Sequence, residues 1–197
     1  EYLPFEACEY VESFLHFKPF VSIITNIEED HLDYFKDLNH IITSFVKFAS
    51  LTSDNGCNIV CIDENTTQSI VQNVKKKAVT YALNNKNADY TAENITLEKN
   101  GCPTFDIFNK DRKVLSVSLN VAGDHNICNA LGVTAACEFL GIEPEYIKSG
   151  LEEFRGAKRR FDRLGKTETG VDVVDDYAHD PTEIKTTLET AKKMGYN

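Results

Sequence analysis

No apolar run in this 197-residue chain approaches the length needed to cross a bilayer, and no basic segment followed by an apolar core opens it. Membrane insertion is not expected, and the chain reads as cytoplasmic. Positive charge is also in short supply: 21 Lys and Arg stand against 31 Asp and Glu, a formal net charge of −10. Such a surface attracts neither nucleic acid nor anionic lipid without a local basic patch. The dense basic group is Lys158, Arg159, Arg160 and Arg163. The six cysteines form no C-x-x-C pair and lie among apolar neighbours, so they read as small buried hydrophobes of a reducing compartment rather than zinc ligands. Repeats and low-complexity segments are absent. A phosphate-binding P-loop is missing as well. Gly165-Lys166-Thr167 imitates the end of one, but the loop needs a glycine where Arg160 stands, because backbone N–H groups must wrap the phosphates.

What is present is an ordinary globular composition, 42% hydrophobic and 26% charged, long enough to bury a core. Apolar periodicity predicts a buried strand over 20–27. It then predicts a helix capped by Asp37, with Leu38, Ile41, Ile42, Phe45 and Phe48 on one face. A strand at 58–62, a helix at 65–76 and a strand at 78–82 follow, the alternation of a parallel sheet with helices on its faces. Over 90–119 the texture changes to alternating Thr, Ile, Val and Phe, broken by Asn100-Gly101 and by residues 109–112, which predicts an antiparallel excursion. Helices are expected at 124–140, stopped by Gly141, and at 144–154, with Pro144 at the first helical position. After a linker around Gly156, strands at 160–166 and 171–175 and a helix at 181–194 open a second α/β unit.

Three polar islands interrupt this pattern where strands meet helices, the carboxyl edge at which open α/β sheets present ligands. In the first, residues 24–35, Asp30, His31 and Asp33 put two oxygen donors and an imidazole within one turn. They suit a divalent ion, or equally they solvate a loop and cap the next helix. Glu6 and Glu9 upstream offer a further ligand. In the second, Gly123 precedes a helix start bearing Asp124, His125 and Asn126, with Asn129 one turn on. Such a start can read a purine edge or hold an anion, and simple capping by Asp124 explains it without a ligand. The third holds Asp175, Asp176, Tyr177 and His179, followed by Asp180-Pro181-Thr182-Glu183, a helix start with an acidic cap and a glutamate three residues later. Asp180 therefore reads as structural, whereas Asp176 and His179 lack that explanation.

The order EACEYVESFL, ITNIEEDHLDYF, AGDHNICNALG, FRGAKRRFDRLG and VDDYAHDPTEI resembles the Mur ligase family in its alanine-adding branch. The resemblance implies an α/β fold: a P-loop-type central domain over residues 1–157, lacking its P-loop, and the start of a Rossmann-like C-terminal domain over 158–197. It implies an ATP-dependent ligase of peptidoglycan synthesis that joins L-alanine to UDP-N-acetylmuramate through an acyl phosphate, with Mg2+. By the same resemblance Glu6 and His31 would hold magnesium, Asn126 and Asn129, with His125, would face adenine, Arg160 would reach the phosphates and Asp176 the ribose. Tyr177 and His179 would meet the incoming amino acid, and Asn26 would contact substrate. The catalytic assignments would be His31, Arg160 and His179.

The sequence departs from the family at three points. The P-loop and the UDP-binding domain lie outside it, so the chain by itself is expected to be inactive. Asp180 stands where the family shows a second histidine, and Lys47 lies near the position at which related ligases carry a carbamylated lysine. The rival readings are a murein tripeptide-recycling ligase and a non-catalytic nucleotide-binding homologue.

Overall fold

The structure, a computed structural model, describes residues 2–98 and 100–196. Its contacts divide the chain into two compact units, Glu1–Thr91 with Gly132–Gly141, and Ala92–Leu131 with Ile142–Asn197.

In the first unit, strands β1 (Val21–Ile24), β2 (Cys57–Cys61) and β3 (Ala78–Tyr81) run parallel in that order, with helices α1 (Leu38–Ser50) and α2 (Asn65–Asn73) between them. All five residues of β2 are buried, as expected of a strand covered on both faces. The helix predicted from Asp37 forms, and the Asp37 carboxylate accepts from the His40 N–H at 2.8 Å. Its apolar stripe lies where the periodicity placed it: Ile41 is in the core and Leu38, Ile42 and Phe45 pack against that core. A polar node sits inside this apolar layer. The fully buried Asn58 side chain accepts from the Ser22 hydroxyl at 2.6 Å and the Thr52 hydroxyl at 2.8 Å, and donates to the Ala49 carbonyl at 3.2 Å. It thereby ties β2 to β1, to the end of α1 and to the loop that follows. A short 3-10 segment, Tyr10–His16, was not foreseen; Val11 and Glu12 there have φ of 48° and 55°.

The second unit contains the antiparallel excursion. Strands β4 (Tyr90–Leu97), β5 (Pro103–Asn109) and β6 (Arg112–Ser118) are neighbours in that order, turning at the two predicted breaks. Tyr90 and Thr91, which open β4, belong to the first unit, where Tyr90 pairs parallel with Tyr81. Helix α3 (Asp124–Phe139) likewise supplies residues to both units. Within the first unit Gly132 leaves room for the Tyr81 ring, whose Cζ would lie 2.9 Å from any Cβ built there. Helix α4 (Pro144–Glu153) packs on β6. Strands β7 (Asp162–Lys166) and β8 (Asp172–Asp175) then form an antiparallel pair, and helix α5 (Pro181–Lys193) follows. Gly165 and Lys166 lie within β7, and Lys166 pairs with Asp172, so the P-loop imitation is part of a hairpin. No helix among the described residues is long and apolar enough to cross a membrane.

Candidate functional site

Each unit carries one polar cluster on the expected islands. In the first unit β1 ends at Ile24, and the chain turns through Thr25 and Asn26, whose side chains bond each other at 3.0 Å while Asn26 donates to Glu28 at 3.0 Å. His31 stands in the left-handed region, φ 53°, held by its N–H to the Asp30 carboxylate at 2.6 Å and by its carbonyl, which accepts from Tyr34 and Phe35 at 2.9 Å. A non-glycine residue in that conformation is uncommon and concentrates at sites. Its Nε2 lies 3.4 Å from Glu9 and 3.7 Å from Asp30, and the Tyr10 ring packs on the imidazole at 4.6 Å.

The donor atoms of Glu9, Asp30 and His31 fall within 4.8 Å of one another, and two carboxylates with an imidazole fit a divalent cation. Glu6, the upstream ligand expected for that ion, is exposed and outside this group, and Glu9 is the glutamate that meets His31. Asp33 instead accepts from the Tyr10 hydroxyl at 2.9 Å, which pushes the phenol above its usual value. Beside them Glu12 accepts from Ser44 at 2.8 Å, Lys47 at 3.1 Å and Tyr34 at 3.2 Å, and the Ser44 and Lys47 bonds hold its carboxyl below the usual range. Lys47 is thus one arm of an ion pair. That network was invisible in the sequence because its members lie up to 35 positions apart.

The second unit gathers the other two islands. At the start of α3 the space on Gly123 (φ 101°) where a Cβ would stand is filled by the His125 ring, whose Cε1 is 2.5 Å from that point, and by the Thr190 hydroxyl at 2.9 Å. His125 keeps an exposed edge, yet burial of its ring lowers the imidazole pKa against the opposing pull of Asp124 and Asp176, and Arg160 adds to the lowering. Asn126 turns its amide nitrogen toward the Ala122 carbonyl at 2.8 Å and His125 Nε2 at 3.1 Å, and Asn129 is exposed one turn on.

Asp176 holds the junction between β7 and α5. One oxygen accepts from the Phe161 N–H and the other from the Ala178 N–H, both at 2.8 Å. The Arg159 guanidinium lies 4.7 Å over the Tyr177 ring and 3.6 Å from Asp175, and the Tyr177 and His179 rings meet edge to face at 5.2 Å. Arg160 reaches Glu183 at 3.2 Å. Asp180 caps α5 as expected, accepting from Thr182 and Glu183 N–H groups at 2.8 and 3.0 Å, and these bonds lower its pKa. Arg159 and Glu183 join these residues in the folded chain. The basic run is a sequence signal for the arginine, whereas the glutamate, three residues after the Asp180 cap, carries only the signal of a helix start.

The family model described as the Mur ligase middle domain matches residues 2–137, and that of the Mur ligase glutamate ligase domain matches residues 159–197. The chain belongs to the Mur ligase family. Over 196 residues it is 46% identical to a UDP-N-acetylmuramate--L-alanine ligase of Acetivibrio thermocellus, a match covering 100% of this chain and 42% of that protein. Among solved Mur ligases it is similar to the UDP-N-acetylmuramate-alanine ligase MurC of Thermotoga maritima (31% identity, TM-score 0.77, covering 93% of this chain and 40% of that one). It is also similar to MurF of Acinetobacter baumannii (25% identity, TM-score 0.80, covering 92% and 39%). The chain therefore spans about two fifths of the length of the curated Mur ligases it matches.

Proposed function

We propose that this chain is the working centre of an ATP-dependent ligase joining L-alanine to UDP-N-acetylmuramate in peptidoglycan synthesis, a cytoplasmic enzyme. Residues 1–157 belong to its central domain and 158–197 to its C-terminal domain. The observation that carries the reading is the convergence of His125, Arg160, Asp176, Tyr177 and His179 in one unit of a chain whose named relatives add alanine.

A carboxylate does not condense with an amine in neutral water. In the full-length ligase the carboxylate would take the terminal phosphoryl group of ATP, releasing ADP and giving an acyl phosphate, and the amine of L-alanine would then displace inorganic phosphate; a bound divalent cation such as Mg2+ would supply charge neutralisation for the transfer. Glu9, Asp30 and His31 have the donor chemistry to hold the cation, with Glu6 as the ligand that the family resemblance implies. Arg160 offers its guanidinium to the phosphates. The Asn126 side-chain oxygen would accept from a purine amino group, with His125 and Asn129 beside it. Desolvation lowers the His125 pKa and so favours the neutral imidazole, which can accept or donate without adding charge. Asp176 fixes the loop that carries Tyr177 and His179, and its carboxylate has further lone pairs with which it would accept from a ribose hydroxyl. Tyr177 and His179 make an aromatic wall for a small amino acid, and Asn26 contacts the acceptor.

The test is a phosphate-release assay on the protein at the full length of its relatives. L-alanine with UDP-N-acetylmuramate should support turnover, and Arg160→Ala should lower kcat/KM for ATP by about tenfold or more. Turnover with a murein tripeptide in place of alanine would transfer the chain to the recycling ligases. Nucleotide binding without turnover would make it a binding module.

A further inference from the structure

In a helix-capping box the glutamate at the third helical position reaches back to the N–H of the cap residue itself. Glu183 occupies that position on α5, and its carboxylate goes elsewhere. One oxygen, Oε2, accepts from the His179 N–H at 3.1 Å and lies 3.4 Å from the His179 ring Nδ1. The other, Oε1, accepts from Arg160 Nη1 at 3.2 Å. The cap is complete without it, because Asp180 already takes the Thr182 and Glu183 N–H groups. A single carboxylate thus spans the two residues to which the proposed reaction gives different work, the arginine for phosphates and the histidine for the amino acid.

We propose that Glu183 is a positioning residue that sets Arg160 and His179 together, so that the phosphate side and the amino-acid side of the site are held in one register. This inference rests on the reading of the site given above. The physical basis is geometric rather than energetic. An ion pair as exposed as Arg160 with Glu183, whose side chains are 56% and 31% accessible, adds little stability, but a carboxylate engaged at both oxygens restrains the rotamers of a long arginine and, through the His179 N–H, the backbone that aims the His179 ring, whose Nδ1 lies 3.1 Å from the Tyr177 carbonyl. The guanidinium has five N–H donors, so a hold on one leaves the others for phosphate.

The experiment measures KM for ATP and for L-alanine in the full-length protein, with a melting temperature for each variant. Arg160→Ala should raise the KM for ATP alone and His179→Ala that for L-alanine alone. Glu183→Ala should raise both, each by about fivefold or more, although it contacts neither substrate. Glu183→Gln has one acceptor oxygen in place of two and should recover one of the two KM values but not both. If Glu183→Ala lowers the melting temperature and leaves both KM values at wild type, the residue only supports the helix and the inference is overturned. If Arg160→Ala and His179→Ala leave both KM values unchanged, the reading of the site has failed and this inference falls with it. Coupled KM changes at Glu183 beside the two separate ones are the outcome that supports it.

Discussion

Asp180 and His179 are adjacent and meet different partners. The Asp180 carboxylate is engaged by two backbone N–H groups of α5, whereas the exposed His179 ring meets Tyr177 and Glu183. Asp180→Ala should therefore destabilise the C-terminal region, lowering its melting temperature while leaving much of the ligation rate. His179→Ala should do the reverse, and thermal melts beside full-length assays separate the two. Loss of activity at Asp180 with stability intact would show that the departure from the family's second histidine is itself functional. Sequence pattern was enough for the cap, because a cap depends on residues within one turn of each other. It was not enough to choose between Glu6 and Glu9, since the choice depends on how the chain before the 3-10 segment folds back toward His31.

At the level of elements, the sheet is anchored by a polar residue, Asn58, at a position the sequence pattern marks only as part of a strand. Asn58 accepts two hydroxyl bonds and donates to the end of α1 from a position with no solvent access. Asn58→Ala leaves the Ser22 and Thr52 hydroxyls without their acceptor and opens a void, so the expected loss is about 3 kcal/mol, measured as a shift in denaturant midpoint at constant slope. A loss within a few tenths of a kcal/mol would mean that the hydroxyls find other partners. The strands and helices themselves were legible: buried β2, the Asp37 cap and the two hairpin breaks are local signals. The 3-10 segment was not, because its left-handed residues are a valine and a glutamate, which no propensity rule places there.

Across the molecule, the resolved shifts of carboxyls and histidine run in one direction. Glu12, Asp54, Asp106, Asp180 and His125 are all lowered in the folded chain. A lowered pKa means that the unfolded chain binds more protons in the window between the two values, so stability rises with pH there and is lost as pH falls. The histidine window lies below its ordinary value of 6.5, and the carboxyl windows lie below 4.5 for Glu12 and 3.8 for the aspartates. Acid unfolding should accordingly begin with a shallow loss below about pH 6.5 and steepen in the carboxyl range. His125→Gln should flatten the first limb without moving the second, read from denaturant midpoints between about pH 7.5 and 3. An unaltered first limb would place the cause at another group.

By itself the sequence determined the α/β class, the order of the elements, the hairpin breaks and the position of the three polar islands where strands meet helices. Each of these rests on periodicity or on residues within a turn of one another, where backbone geometry alone decides what is near. Tertiary structure alone decided the partners: Glu9 beside His31, Glu12 between Ser44 and Lys47, Asp176 spent on two backbone N–H groups, and Glu183 bridging Arg160 to His179. Those pairings join segments separated by tens of residues, and a carboxylate gives no sign in the sequence of which distant donor the folded chain will bring to it.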